Sequence, residues 1–155
     1  LGTRVPLQGG KVYSMTLENP GARPGLCSLL GEAKVAVTPM GDSLRVAGTM
    51  EICGNDLSIN ERRVQGIIKA ACRVFPELTP GEFEGVERWS GLRPCSPDGL
   101  PYLGRVRGRD RVLVAGGHAM LGLSLGPITG KLVTELVEGK GPTIPVEQLA
   151  VDRFS

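Results

Sequence analysis

Hydrophobic and polar residues alternate from Lys11 to Leu17 (KVYSMTL), the period-two pattern of a half-buried strand. A Pro/Gly-rich loop follows from Asn19 to Gly25. Residues 33–38 (AKVAVT) and 44–50 (LRVAGTM) predict two more strands. They flank the turn Pro39-Met40-Gly41-Asp42, a spacing that favours an antiparallel hairpin. Gly48, inside the third strand, points to a bulge or to a close approach to the backbone.

The period then changes. Val64, Ile67, Ile68, Ala71, Cys72 and Phe75 recur at helical spacing on one face, with Arg62, Arg63, Lys69 and Arg73 off it. Ser58 and Glu61 have capping-box spacing, Asn60 is a rival N-cap, and Pro76 ends the helix. Residues 86–92 predict a strand and Arg93–Gly104 a loop. Residues 111–115 (RVLVA) predict a short strand running into Gly116-Gly117-His118. A second helix is expected from about Ser124 or Pro127 to Glu138. Ile128, Leu132, Val133, Leu136 and Val137 form its apolar side, and Gly139 stands ready to stop it. Residues 141–155 read as an extended, packed tail. Tight hairpins without regular strand–helix alternation predict an α+β fold: a mostly antiparallel (mixed) sheet with two main helices.

Composition narrows the function classes. The 155 residues suffice for a hydrophobic core. The net charge of +2 lacks the basic excess of a nucleic-acid binder, so no nucleic acid is expected. Arg105, Arg107, Arg109 and Arg111, interrupted by Gly104, Gly108 and Asp110, read as a solvated turn, with a phosphate-binding patch as the alternative. The 23 Gly and 12 Pro show no collagen-like period and indicate turns and close backbone approaches. Cys27, Cys53, Cys72 and Cys95 form no CxxC pair, and a single His makes a Cys/His metal site improbable, so no metal is expected. Without a signal peptide or a long apolar span, the expected setting is cytoplasmic, with association at the inner face of the membrane left open. The chain opens on Leu1 with no start signal, which reads as a trimmed or cut longer chain.

Two stretches carry candidate chemistry. In AGGHAMLGLSL (115–125) a short strand ends in two glycines and a glycine-punctuated turn opens a helix. Such a turn lets a planar ligand lie against the backbone, and the helix N-terminus presents free N–H groups that favour negative charge. A plain strand-to-helix turn explains the same spacing. In WSGLRPCSPDGLPYLG (89–104), Arg93 precedes Pro94 and is biased to extended geometry. Its planar fork can bind a carboxylate with two hydrogen bonds, or it is a surface Arg in an ion pair. Asp98, in Pro97-Asp98-Gly99, reads as a turn former. His118 reads either as a ligand neighbour or as a structural residue holding the loop through its ring nitrogens. Met120 and Leu121 read on spacing as packing residues.

Together these stretches resemble the FAD-dependent D-amino-acid dehydrogenases, with glycine oxidase and sarcosine oxidase as wider relatives in the DAO-type family. The resemblance begins near GGKVYS (9–14) and continues through TPMGDSLRVAGTMEICGNDLSINERRV (38–64). It is strongest at WSGLRPCSPDGLPYLG and AGGHAMLGLSLGPITGKLVTELVEG, and it ends at VDRF (151–154). It implies that residues 1–104 belong to a substrate-binding domain and that 105–155 complete the FAD-binding part of a two-domain oxidoreductase. Arg93 would bind the substrate carboxylate, and Gly117, His118, Leu121 and Gly122 would contact the flavin. The implied reaction removes a hydride from the α-carbon of a small amino-acid substrate to FAD, with no side-chain base named and hence no catalytic residue assigned.

Two departures from the family pattern matter. No GxGxxG fingerprint occurs in the 155 residues, so the N-terminal FAD-binding segment is the implied missing partner and this chain alone should bind FAD poorly. Sarcosine oxidases attach flavin through a Cys seven positions before the Pro-Asp aspartate. Here that position is Gly91, and Cys95 is elsewhere, so non-covalent FAD is expected. A membrane-surface electron acceptor is a further implied partner. The competing reading is a non-catalytic, partner-binding subunit or a relic without FAD.

Overall fold

The computed structural model describes residues 2–155, leaving Leu1 outside. The chain forms two compact units: Lys11–Leu92, and the segment up to Gly10 together with Arg93–Ser155.

A sheet is built from β1 (Gln8–Glu18), β2 (Ser28–Leu30), β3 (Val35–Met40), β4 (Ser43–Ile52) and β5 (Trp89–Cys95), in the order β2-β3-β4-β1-β5. β3 and β4 pair antiparallel from Val35↔Gly48 to Met40↔Ser43, the hairpin that the alternation predicts. Pro39 and Met40 extend β3, so the turn tightens to Gly41-Asp42. Gly41, at φ +62°, supplies the left-handed conformation that this turn needs. β2, paired antiparallel with β3, is too short to show a period.

Alternation places Tyr13, Met15 and Leu17, Val35 and Val37, and Leu44 and Val46 in one core. α1 (Glu61–Val74) contributes Val64, Ile67, Ile68 and Ala71 to that core. Of the rival caps, Asn60 is the one used: its side chain accepts from the Arg63 N–H, and Phe75 closes the C-terminus before Pro76. Gly48 is a close approach. A Cβ there would lie 2.9 Å from both the Lys34 carbonyl and Val35 Cγ2, and 3.2 Å from Ile67.

In the second unit β6 (Tyr102–Val106) and β7 (Arg109–Gly116) form an antiparallel hairpin. The arginine-rich stretch turns at Arg107-Gly108, matching the solvated-turn reading. β6 and the last residues of β5 replace part of the loop expected over 93–104, and β5 begins at Trp89 rather than at residue 86. α2 (Gly122–Val137) starts earlier than Ser124 or Pro127 and carries Pro127 inside it. Gly139, at φ +71°, ends it as expected. The tail is packed but not extended: Glu147–Leu149 form a 3-10 turn and further turns follow, Val151 is buried, and Thr143 is tied to Glu135 by its N–H at 2.9 Å and by its hydroxyl. The sheets and two main helices make the predicted α+β fold.

Candidate functional site

Arg93 lies near the C-terminal end of β5, half-buried. Among the described residues two buried side-chain nitrogens have no hydrogen-bond partner, Nε of Arg88 and Nε of Arg93. Arg88 Nε is 3.4 Å from the Glu61 carboxylate in an ion pair. Arg93 Nε has no such counter-charge, which argues against the alternative of an ion-paired surface arginine. An unsatisfied buried donor costs about 1–3 kcal/mol, more when charged, so it marks either strain or the place of an absent acceptor.

The end of β5 is joined to the glycine turn. Cys95 and His118 form an antiparallel bridge, and the Ala119 N–H donates to the Pro94 carbonyl at 3.1 Å. Arg93 and the Gly117–Gly122 turn are thereby brought together in one unit. The two candidate stretches, far apart in sequence, become one place.

Each turn residue has its own role in the geometry. Gly117 is buried at φ +76°, and a Cβ there would stand 3.1 Å from both Leu7 and Tyr102. Both the backbone and the space require glycine. His118 Nε2 lies 3.0 Å from Thr129 Oγ1, so its ring is engaged by α2, while its carbonyl accepts from the Leu121 N–H at 2.9 Å. Ala119 adopts φ +48°, unusual without a glycine and an indication that its surroundings over-determine the turn. Leu121 stands at the N-cap of α2, where no side chain caps the helix. The first N–H groups of α2, beginning with Gly122, therefore open outward at the positive end of the dipole. Met120, Leu121 and Leu123 are exposed around them, Leu123 to 95%. The uncapped helix end and the exposed Met120, Leu121 and Leu123 lie together at the start of α2, a surface that can seat a flat ring bearing negative charge, as a reduced flavin does.

Asp98 is a turn former and more. Its Oδ1 accepts from the Leu100 N–H at 3.1 Å, and both its oxygens are held by Arg153 at 2.8 and 3.0 Å. The Arg153 guanidinium holds the Asp98 carboxyl well below the usual carboxylate range.

A second polar cluster, absent from the sequence reading, lies in the Lys11–Leu92 unit. Lys11 is buried and donates to Asp56 at 2.8 Å and to the Ser58 carbonyl at 3.0 Å, with Glu51 at 3.4 Å. Tyr13 donates its hydroxyl proton to Glu51, which also pairs with Arg63 at 3.2 Å. The bond to Asp56 raises the Lys11 pKa and lowers that of Asp56. Every charge in this cluster has a partner, so it reads as the tie that holds residues 53–60 between β4 and α1. Sequence spacing gives no signal for it, because Lys11 and Asp56 are 45 positions apart. Among the described residues no group of three or more His, Cys, Asp and Glu side chains is placed to hold a metal ion. Nor is any helix there long and apolar enough to cross a membrane.

The chain is 37% identical over 157 aligned residues to a D-amino acid dehydrogenase of Paramagnetospirillum magneticum, covering 100% of this chain and 36% of that protein. It is 34% identical to a D-amino-acid oxidase of Bradyrhizobium diazoefficiens, covering 99% of this chain and 37% of that protein. The chain thus spans little more than a third of the length of these curated relatives. Among solved structures, glycine oxidase from Geobacillus kaustophilus superposes with a TM-score of 0.75 at 26% identity, over 98% of this chain and 40% of the other. Iminodiacetate oxidase from a Chelativorans species superposes with a TM-score of 0.81 at 25% identity, over 97% and 41%. The family model described as FAD dependent oxidoreductase matches residues 1–136, and the chain belongs to that DAO family.

Proposed function

We propose that this chain is the C-terminal portion of an FAD-dependent oxidoreductase that oxidatively deaminates a D-amino acid, and that it supplies the substrate-carboxylate anchor and part of the flavin seat. The observation that carries this reading is the buried, unpartnered Nε of Arg93, on a strand end bridged to the Gly117–Gly122 turn. A carboxylate is the acceptor that best matches a guanidinium fork, through two parallel charge-assisted bonds. Arg93 binds the α-carboxylate in this account and fixes where the α-carbon lies, an orientation effect that lowers the barrier without proton transfer. The relatives support both the carboxylate and the hand: two of them are named for D-amino acids, and two solved neighbours for glycine and iminodiacetate.

The turn supplies the rest. Gly117 lets the turn pack closely on Leu7 and Tyr102, His118 is locked to Thr129, and Leu121 and Gly122 open the helix whose N–H groups favour negative charge. FAD, when bound, would supply the hydride acceptor; the substrate's amine lone pair would form the C=N bond as the α-carbon hydride leaves, and hydrolysis of the imine would give the oxo acid and ammonia. A neutral amine needs no side-chain base, and none is assigned. With Gly91 seven positions before Asp98, the attachment is non-covalent.

The test uses the protein that carries this chain, purified and mixed anaerobically with D- and L-amino acids. The expected result is a bound flavin that acid releases intact. D-amino acids, and not their L-counterparts, should bleach it, with an oxo acid and ammonia as products. A protein that holds no flavin, or whose flavin is reduced by no amino acid of either hand, contradicts the proposal.

A further inference from the structure

Arg153 has no part in the proposed chemistry, yet its head group is the most fully bonded in the chain. A guanidinium has five N–H donors. In Arg153 the Nε bonds Asp98 Oδ2 at 2.8 Å, and Nη2 bonds Asp98 Oδ1 at 3.0 Å and the Leu100 carbonyl at 2.7 Å. Nη1 bonds the Leu149 and Ala150 carbonyls at 3.3 and 3.1 Å. The guanidinium carbon also lies 3.9 Å from the centre of the Tyr102 ring and 5.0 Å from that of Phe154. Its side chain is only 11% exposed. A surface ion pair contributes little, but this pair is bidentate, stacked and shielded.

Tyr102 connects the group to the flavin turn. It is fully buried and donates its hydroxyl proton to the Pro6 carbonyl at 2.8 Å. It pairs with Gly116 in the β6–β7 hairpin. Its Cδ2 lies 3.1 Å from where a Cβ of Gly117 would be, so the ring edge is the floor on which Gly117 rests. Arg153 covers one face of that ring. The same guanidinium fixes the Ser96–Leu100 turn through Asp98 and Leu100, just beyond the strand end that bears Arg93.

We propose that Arg153 is a positioning residue for the flavin seat: by clamping Asp98 and the Tyr102 ring, it sets the height and rigidity of the Gly117–Gly122 turn. The inference rests on the reading of that turn as the flavin contact. Lysine cannot replace it, because an ammonium has three donors, no fork and no planar face to lay on Tyr102.

The experiment uses the flavin-loaded protein that carries this chain, with Arg153→Lys and the milder Asp98→Asn. Three readouts are taken: FAD dissociation followed by the rise in flavin fluorescence, amide hydrogen exchange of residues 117–122, and KM for the amino-acid substrate. The expected result for both variants is weaker FAD binding, on the order of tenfold. Exchange at 117–122 should be faster and KM changed far less. Exchange that rises only at 147–155, with FAD affinity unchanged, overturns the proposal and leaves Arg153 a tail anchor. Should Arg153→Lys fail to fold, Asp98→Asn decides alone, since its one amide oxygen keeps the bond to the Leu100 N–H while the charge and the acceptor of the Arg153 Nε–H are lost. Gly122→Val, at an exposed position where a Cβ meets only His118 at an ordinary 3.5 Å, is the control for the underlying reading. If Gly122→Val leaves FAD affinity unchanged, that reading fails; if it weakens binding while the Arg153 and Asp98 variants do not, only the clamp fails.

Discussion

α1 and α2 make opposite use of similar lengths. α1 buries Val64, Ile67, Ile68 and Ala71 in its own unit and is capped by Asn60. α2 is the more apolar helix, yet only Leu132 is buried in it. Leu123 is 95% exposed and Val137 63%, and no side chain caps the N-terminus. α1 is therefore determined by contacts inside the chain. α2 half-buries Leu125, Ile128, Val133 and Leu136 and leaves Leu123 exposed beside its uncapped N-terminus, next to the glycine turn. The contrast separates a helix whose apolar face is closed within the chain from one that keeps an open, uncapped end.

Substitutions in the protein that carries this chain can break or sharpen that contrast. Ile67→Ala removes a fully buried side chain and should lower unfolding stability by about 2–5 kcal/mol in chemical denaturation. A loss below 1 kcal/mol would mean that α1 is not the core helix described. Acid comes next in expected effect. Asp56 and Asp98 have folded pKa values below their unfolded ones, through Lys11 and Arg153 respectively. Their stabilisation is complete above the ordinary carboxylate range, about pH 4, and is lost as pH falls through the depressed folded values. Stability should thus hold from neutral pH to about pH 5 and fall below that. Lys11→Met should make the acid loss smaller, because the folded pKa of Asp56 then returns toward its unfolded value; an unchanged acid limb would contradict the pairing. Asn60→Ala should cost about 1 kcal/mol, as the loss of a helix cap does. Leu123→Ala should change stability by less than about 0.5 kcal/mol, because the side chain touches little within this chain. Its effect should appear instead in FAD affinity, and equal destabilisation by Leu123→Ala and Ile67→Ala would erase the distinction.

Legibility in the sequence follows the range of the contacts involved. α1, the turn of the β3–β4 hairpin and the stop at Gly139 depend on neighbours a few positions away, and their periods and turn residues show it, whereas at Gly48 the glycine itself marks an approach made by Lys34, Val35 and Ile67. β2 is three residues long and β6 begins inside a Pro/Gly-rich stretch, so neither has room for a pattern. Pro127 suggested a helix start, but α2 begins five residues earlier at the glycine turn. The Lys11–Asp56 and Asp98–Arg153 pairs join positions 45 and 55 residues apart, where no spacing rule operates. The convergence of Arg93 with the Gly117–Gly122 turn is of the same kind. The residues were visible as candidates, but the bridge between Cys95 and His118 that joins them belongs to the fold.

The central claim, that Arg93 anchors a substrate carboxylate beside a flavin seat, is tested most directly by anaerobic flavin reduction in Arg93→Ala. The account predicts the FAD content of the unsubstituted protein, with half-saturating D-amino acid raised by about 100-fold or more, the scale of truncating one member of a buried charge pair. Reduction at the same substrate concentration in both proteins would remove Arg93 from the site.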